Sequence, residues 1–218
     1  MTLPAEIRIG FIDYKIQGPE ADHQLRIGGA LSRYNWDDGF IAVRSDLPAG
    51  RRVQTFFEAV IRLLLWEAGT RDYTEAVKDN LGRLLHYFIK DSNLNWLQSN
   101  KLPEEVIINR LEYPIISNKE TNDSLDTQDI NGLCEYGQVE IWIHTQLEGK
   151  RESLVLLHEI IHALLHEAGV REHDEGDIVA ITNVMYLFLT GNSFEWLKRS
   201  SVEMRETNKE KFRQTLKN

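Results

Sequence analysis

Three side chains in the stretch LLHEIIHALLHEAG, residues 156–169, have the types and the spacing that metal binding and water activation require. His158 and His162 are four residues apart, so on a helix both imidazoles lie on one face, one turn from each other. At that spacing they can bind one zinc ion, and Glu159, about 100° around the helix, can take a proton from a water molecule on the ion. The sequence therefore predicts Zn2+ bound by His158 and His162, with Glu159 as the general base.

The residues around this motif are apolar, among them Leu157, Ile160, Ile161 and Leu164, and they predict a helix that is buried on most sides. Burial of two imidazoles and a carboxylate without partners is costly, and a metal ion would supply the partner. The alternative is a surface helix on which the histidines bind nothing.

A catalytic zinc site needs a third protein ligand and one open position. His166 is four residues beyond His162, and a straight helix would place the outer two histidines about 12 Å apart, too far for one ion. We favour Glu175, because Ile178 and Val179 follow it by three and four residues and place it on the core-facing side of a second helix. The alternatives in the same link are Asp174, His173, Asp177 and Glu172.

The chain repeats itself at an offset of one hundred residues. Between Arg51 and Leu97 the ungapped comparison with residues 151–197 gives twelve identical pairs, among them Glu67/Glu167, Gly69/Gly169 and Trp96/Trp196. Average composition would give roughly three such matches over this length. The earlier parts match more loosely, with Ile9 to Tyr14 resembling Ile108 to Tyr113 after a slip of one residue. An internal duplication is the simplest interpretation.

Both copies show the same order of patterns, which predicts an α+β fold built from a tandem duplication. Each unit begins with a strand, followed by a polar loop such as Ser117–Ser124, and a strand pair that ends near Val43 or Ile143. A long apolar helix then ends at Gly69 or Gly169, and a second helix ends near Lys90 or Thr190. Because each unit is small, we expect the two copies to share one core. The predicted divisions are a first repeat at 1–97, a linker at 98–106, a second repeat at 107–197 and a charged tail at 198–218.

The first repeat has lost the metal-binding motif. Glu58, Ala59 and Arg62 stand where the second repeat has its two histidines and its glutamate. Glu58 and Arg62 have the spacing of a helical ion pair, which Glu75 could join, so the first repeat is predicted to be a degenerate, structural copy. Glu75 also matches Glu175, and that identity has two interpretations: an inherited ligand position, or a negative charge that stabilises the start of a helix.

Bulk composition excludes some classes of partner. The net charge is −9, and residues 1–197 carry −13 because the tail from Lys198 carries +4, so no nucleic-acid partner is expected. The single cysteine, Cys134, permits no intrachain disulfide, and the chain shows neither a secretory signal nor an apolar run long enough for a membrane. We expect a cytoplasmic protein with no membrane association. The sequence does not predict its oligomeric state.

The motif helix, the short acidic link and the second amphipathic helix resemble the small HExxH zinc peptidases of the ImmA/IrrE type found in bacteria and phages. The resemblance covers roughly residues 136–192. It implies a minimal zincin fold, zinc held by His158, His162 and a downstream acidic residue, and often cleavage of a regulatory protein. A protein or peptide is thus the expected substrate, and the duplicated first repeat is not part of the family pattern.

Other parts of a peptidase site have several candidates. The segment Gly137–His144 alternates like a strand and either holds an extended substrate by backbone pairing or is a plain core strand. The oxyanion of a transition state needs a hydrogen-bond donor, for which Tyr136, His144, His173 and Tyr186 are candidates. A zinc enzyme could also hydrolyse another amide or an ester.

A non-catalytic alternative is an interaction or regulatory protein that zinc stabilises. It predicts a closed shell of four protein ligands, with His166 or His173 as the fourth. A hydrolase instead predicts three ligands and an open position.

Overall fold

A computed structural model describes residues 2–18, 21–70, 72–99 and 101–197; the predicted charged tail at 198–218 lies outside this range. The first repeat contains β1 (Glu6–Ile9), β2 (Ile12–Gln17), α1 (Asp22–Ile27), β3 (Ser32–Asn35), β4 (Phe40–Val43), α2 (Ala49–Glu67), α3 (Glu75–Asp91) and α4 (Trp96–Ser99). The second repeat contains β5 (Glu105–Ile108), β6 (Leu111–Ile116), α5 (Lys119–Gln128), β7 (Gly132–Glu135), β8 (Glu140–Ile143), α6 (Gly149–Glu167) and α7 (Glu175–Gly191). None of the helices in the described ranges is long and apolar enough to cross a bilayer.

Each repeat forms a four-stranded sheet with the same topology. The strand order is β1-β2-β4-β3 in the first repeat and β5-β6-β8-β7 in the second. The inner strands, β2 with β4 and β6 with β8, are parallel, and the outer pairs are antiparallel. A helix, α1 or α5, precedes the outer strand in each crossover between the parallel strands. The predicted α+β class and the repetition of one unit are confirmed.

Hydrogen bonds repeat along with the topology. The hydroxyl of Tyr14 donates to Glu67 at 3.4 Å, and that of Tyr113 donates to Glu167 at 3.2 Å. Both tyrosines are almost fully buried, and each anchors the opening hairpin of its repeat to the end of the long helix. The loose resemblance between Ile9–Tyr14 and Ile108–Tyr113 in the sequence therefore reflects the same structural role.

The start of each unit differs from the prediction. The expected single opening strand is a hairpin, β1–β2 or β5–β6, and β5 begins at Glu105, inside the predicted linker 98–106.

The predicted loop Ser117–Ser124 is wrong, since α5 covers most of it. A capping box between Asn118 and Thr121 starts α5, and Leu125 is its main buried apolar residue. A helix with so few apolar contacts has too weak a hydrophobic pattern to be read from sequence.

The two repeats interlock and share one core, as predicted. The buried apolar residues of both form a single cluster. Trp196, at the end of the second repeat, stacks on Phe57 of α2 with 6.3 Å between ring centroids, and the hydroxyl of Ser153 on α6 donates to the carbonyl of Trp96 at 3.2 Å. The two tryptophans thus anchor each repeat to the long helix of the other repeat. Removal of either repeat would expose the core of its partner.

Gly82 brings α3 into backbone contact with α2. A Cβ atom at Gly82 would lie 2.7 Å from the Cα atom of Glu58 and 2.9 Å from the carbonyl oxygen of Phe57. In the second repeat Thr182 takes the place of this glycine, and it lines a cleft between α6, α7 and β7. Gly82 thus allows α2 and α3 to pack closely in the first repeat, where the second repeat has its cleft.

We expect Gly82→Ala to lower the free energy of unfolding by roughly 2 kcal/mol, because the added methyl group meets backbone atoms that cannot move away independently. Gly50→Ala in α2 is the matched control, since a Cβ atom there meets nothing within 4 Å. That control should be neutral or slightly stabilising, as alanine is the better helix former. Urea unfolding of both variants measures the difference, and equal stability of the two would contradict the close helix contact.

Candidate metal centre

The long helix of the second repeat carries the predicted pair of histidines on one face. The Nε2 atoms of His158 and His162 lie 3.0 Å apart. His162 and Glu159 are 8% and 6% exposed, while His158 is half-buried and faces the cleft. The apolar neighbours Leu157, Ile160 and Ile161 lie in the core, as the pattern of the motif predicts.

Glu175, the first residue of α7, completes a three-residue donor set. Its Oε2 atom lies 3.3 Å from Nε2 of His158, and its Oε1 atom lies 3.5 Å from Nε2 of His162. Zinc in tetrahedral coordination, with bonds of about 2.0–2.1 Å, separates its ligand atoms by roughly 3.3 Å. The donor types and their spacing fit zinc, and the donor atoms of all three residues lie within 4.8 Å of one another.

The other candidates for the third ligand have different positions. The carboxylate of Asp174 caps α7 by accepting from the backbone N–H groups of Gly176 and Asp177, at 2.7 and 3.3 Å. The charge of Asp177 acts on Tyr73 of the first repeat, whose pKa is raised by burial and by that charge. The cap fixes the start of α7 and thereby places Glu175 opposite the histidines.

His173 contacts the far side of His162. Its Nε2 atom lies 2.6 Å from Nδ1 of His162, the ring nitrogen that points away from Glu175. When Nδ1 of His162 donates its proton to His173, Nε2 has a free lone pair directed at the donor set. His173, an alternative ligand in the sequence analysis, therefore orients His162. Sequence spacing gives no signal for this contact, since it joins residues eleven positions apart.

His166 also lies apart from the donor set. Its ring stacks on Tyr136 at 4.1 Å between centroids, and Arg171 contacts its Nε2 atom. In the described part of the chain, the group of residues able to hold a metal contains His158, His162 and Glu175. Three ligands leave an open position, which is the arrangement that distinguishes a catalytic site from a closed structural one.

Burial controls the protonation of the site. It lowers the pKa of His158, and it lowers that of His162 to about 4, so both imidazoles are neutral and able to coordinate at neutral pH. Burial also raises the pKa of Glu159 to about 8, with a further contribution from the charge of Glu175. The site therefore favours the binding of a positive charge, which would stabilise both carboxylates.

The first repeat shows what fills this position when the histidines are missing. Arg62, at the position of His162, donates to Glu75 at 2.9 Å and to Asp79 at 2.6 Å. Its guanidinium forms a cationic bridge from α2 to α3, at the place where the second repeat has the group that could hold a metal ion. In the second repeat, no Lys or Arg among the described residues forms an ion pair with Glu175.

One detail of the first repeat was predicted wrongly. Arg62 donates to the backbone carbonyl of Glu58 at 2.6 Å, and not to its carboxylate. That carboxylate instead accepts from Arg51 at 3.2 Å and from Gln54 at 2.8 Å. The prediction that Glu75 takes part in an ion pair with Arg62 is confirmed, since Arg62 donates to its carboxylate.

The donor set lies in a cleft of about 810 Å3 between α6, α7 and the edge of the sheet. Of the candidate oxyanion donors, Tyr136 and His173 line this cleft. His144 instead bonds to Asp126 at 3.1 Å, and the ring of Tyr186 lies under Lys150.

The sheet edge at the cleft is β7, and of the two interpretations of Gly137–His144, a substrate-binding strand or a core strand, the structure shows the core strand. Both edges of β8 are paired, with β6 and β7, so Gly137–His144 contains a core strand. Gly132 on β7 packs directly on Glu159, since a Cβ atom there would lie 2.8 Å from Oε1 and 2.7 Å from Cγ1 of Val155. A side chain at this position would displace Glu159. The sequence analysis missed Gly132, because the contact depends on how the sheet packs on α6.

Comparisons with protein-family models, with curated protein sequences and with solved structures each gave no match. The interpretation of the site depends on its own geometry. That geometry consists of three convergent donors, a buried carboxylate beside them and an open cleft.

We expect one zinc ion per chain by elemental analysis after reconstitution. His158→Ala, His162→Ala and Glu175→Ala should each remove most of it, whereas Glu159→Gln should retain it. His173→Ala should weaken zinc affinity by about 10- to 100-fold, the usual effect of losing the residue that orients a ligand.

Glu75→Ala is the control for this experiment, because it changes the matching glutamate outside the donor set. Its zinc content should equal that of the wild type. A wild type without zinc, or with two zinc ions per chain, would contradict the assignment.

Glu159 should make the stability of the metal-free protein depend on pH. Its folded-state pKa of about 8 exceeds the ordinary value of 4.5, so its contribution to stability is complete below about pH 4.5 and is lost as the pH rises to 8. In EDTA, Glu159→Gln should gain stability over the wild type across this window, by at most about 1.4 kcal/mol per pH unit. His158 and His162 are present in both proteins, so their opposite pH dependence largely cancels in the difference.

Urea unfolding at a series of pH values measures this difference. Parallel stability curves for the two proteins between pH 4.5 and 8 would show that Glu159 is not buried as described.

Proposed function

We propose that this protein is a zinc-dependent hydrolase with a zincin-like site, and that its substrate is a protein or peptide. The observation that carries the proposal is the convergence of His158, His162 and Glu175 beside the buried Glu159, in a cleft open to substrate. The set of donors and the base agree with the resemblance to HExxH peptidases. Three available ligands favour a hydrolase over a zinc-stabilised interaction protein.

Zinc bound by these residues would polarise a substrate carbonyl and lower the pKa of a coordinated water to about 7. Glu159 is placed to take the proton of the attacking water, because it is adjacent to His158 on α6 and lines the same cleft. The backbone N–H of Cys134 donates to its carboxylate and holds it in place. Burial favours the protonated form of Glu159, so the acid formed by this transfer can pass the proton to the leaving amine.

The edge strand β7 supports a peptide as the substrate. β7 pairs with β8 on one side, and Gly132, Leu133 and Cys134 line the cleft. An extended peptide that adds to an edge strand obtains backbone hydrogen bonds along its length, which is a common mode of peptide recognition. Such binding would place the peptide backbone beside Glu159. An ester or a small amide would not use this edge.

Tyr136 is our candidate for the hydrogen-bond donor to the oxyanion. It lines the cleft, and its pKa is raised by burial and by the charges of Cys134, Glu159 and Glu175, so its hydroxyl keeps its proton at neutral pH. Stacking on His166 fixes the ring. A fixed neutral donor is suited to developing negative charge, because it needs no reorganisation as the charge forms.

The first repeat has a structural role in this proposal. It covers the core face of the second repeat, and its own site is held by the ion pairs of Arg62 and Arg51. We place the protein in the cytoplasm, with a regulatory protein as one class of substrate, as the family resemblance implies.

The test is zinc-dependent cleavage of a peptide library, measured by mass spectrometry. Glu159→Gln should keep its zinc and lower kcat by about 10²- to 10⁴-fold, the range for loss of a general base. Tyr136→Phe should lower kcat by about 10²-fold with little change in KM, because it removes a bond made mainly in the transition state.

EDTA treatment should abolish the cleavage, and added zinc should restore it. Stoichiometric zinc without any Glu159-dependent cleavage of peptides or of folded proteins would favour the zinc-stabilised interaction protein instead.

A further inference from the structure

Arg151 is a cationic side chain of the cleft with no partner among the described residues. It lies in the first turn of α6, is exposed and lines the cleft with the donor set. It forms no hydrogen bond or ion pair with any residue in the described ranges, whereas the cleft's other arginine, Arg171, contacts His166.

The first repeat shows what an arginine at this position binds. Arg51 is the counterpart of Arg151, and its Nη1 atom lies 3.2 Å from Oε1 of Glu58. Gln54 donates to the same carboxylate oxygen at 2.8 Å. The guanidinium thus reaches along α2 to a carboxylate beside the position that matches the metal-binding centre.

The second repeat has the arginine but not this carboxylate. His158 replaces Glu58, Leu154 replaces Gln54, and the space between the helices is an open cleft. Among the described residues no carboxylate pairs with Arg151, so a molecule bound in the cleft is the source that we consider for it. A substrate in the cleft is the molecule placed to supply it.

We propose that Arg151 binds a carboxylate of the substrate and makes the site selective for peptides that carry one near the scissile bond. The inference rests on the proposed hydrolase function. Arg151 and His158 are seven residues apart, about 10 Å along the helix axis, and the arginine side chain spans much of that distance. A carboxylate bound by Arg151 therefore lies one or two residues from the scissile bond, at 3.3–3.6 Å per residue of extended chain.

Two sources provide this chemistry: an Asp or Glu side chain, and the C-terminal carboxylate of a short peptide. Arg171, which also lines the cleft, contacts His166, and the carboxyl groups that line the cleft are those of Asp129, Glu159, Glu172 and Glu175. Without Arg151 they would disfavour an acidic substrate. Arg151 thus determines the preference of the cleft, and its guanidinium can form a bidentate pair with a carboxylate.

The test compares the cleavage of synthetic peptides by the zinc-loaded full-length protein. Sets of peptides from sites found in the library carry Glu, Gln or Lys at each position within three residues of the scissile bond, and end in a free acid or an amide. The wild type should show a kcat/KM ratio of Glu over Gln, or of acid over amide, of about 10-fold at one position. A preference for Glu over Gln would identify a side-chain carboxylate, and a preference for the free acid over the amide would identify the terminal one.

Arg151→Leu should reduce this ratio to near one, Arg151→Lys should retain part of it, and Arg151→Glu should reverse it in favour of Lys-containing peptides. Arg51→Gln is the matched control, since it changes the same arginine in the first repeat, and it should keep the wild-type ratio. Thermal unfolding of each variant checks that it is folded.

The outcomes separate this inference from the proposed function. Glu159-dependent cleavage without a preference for acidic groups, or with a preference that Arg151→Leu leaves unchanged, would overturn the role of Arg151 and leave the hydrolase standing. Absence of any Glu159-dependent cleavage would overturn both.

Discussion

A polar bridge between the long helix and the second helix of each repeat is the interaction on which the rest of the structure depends. In the first repeat the cation is the guanidinium of Arg62, which joins α2 to Glu75 and Asp79 of α3. In the second repeat His158, His162 and Glu175 converge at the same place between α6 and α7, and this group could hold a metal ion. The side chain of Arg62 is only 17% exposed, so its charge needs these carboxylates as partners, whereas the carboxylates themselves are more than half exposed.

The two repeats diverge through paired changes, each of which fits the other. Where Glu159 fills space under the sheet, Gly132 leaves room for it. In the first repeat the same two positions carry Ala59 and Ser32, a small helix residue with a larger strand residue. Each pair keeps the helix and sheet in contact. The buried Glu159 is therefore specific to the second repeat, and Gly132 of the sheet leaves the space that it occupies.

Interlocking of the repeats explains why a copy without the motif is retained. Trp196 packs on Phe57 of the first repeat, and Asn192 after α7 accepts from the backbone N–H of Arg8 at 2.8 Å and donates to its carbonyl at 2.7 Å. The helix that carries Glu175 is thus held at its far end by a strand of the first repeat. Displacement of that strand would move the third ligand relative to the histidines.

The sequence by itself determined the features that depend on one element. The i, i+4 spacing places His158 and His162 on one face of any helix, and the offset of one hundred residues establishes the duplication and the shared order of elements. Glu175 was an intermediate case: its expected place on the core-facing side of α7 is wrong, since its side chain is 71% exposed and Val179 is 51% exposed. Its approach to the histidines depends on the crossing of two helices. The polar helix α5 was missed because few of its residues face the core.

Only the tertiary structure decided which elements meet. The contact of His173 with Nδ1 of His162, the packing of Gly132 on Glu159 and the edge position of β7 each join segments whose relation is set by the packing of helices and sheet. Periodicity reports which face of an element is buried, but it carries no information on what covers that face. For the same reason the sequence shows that Arg51 and Arg151 are equivalent, while only the structure shows that one has a carboxylate partner and the other faces an open cleft.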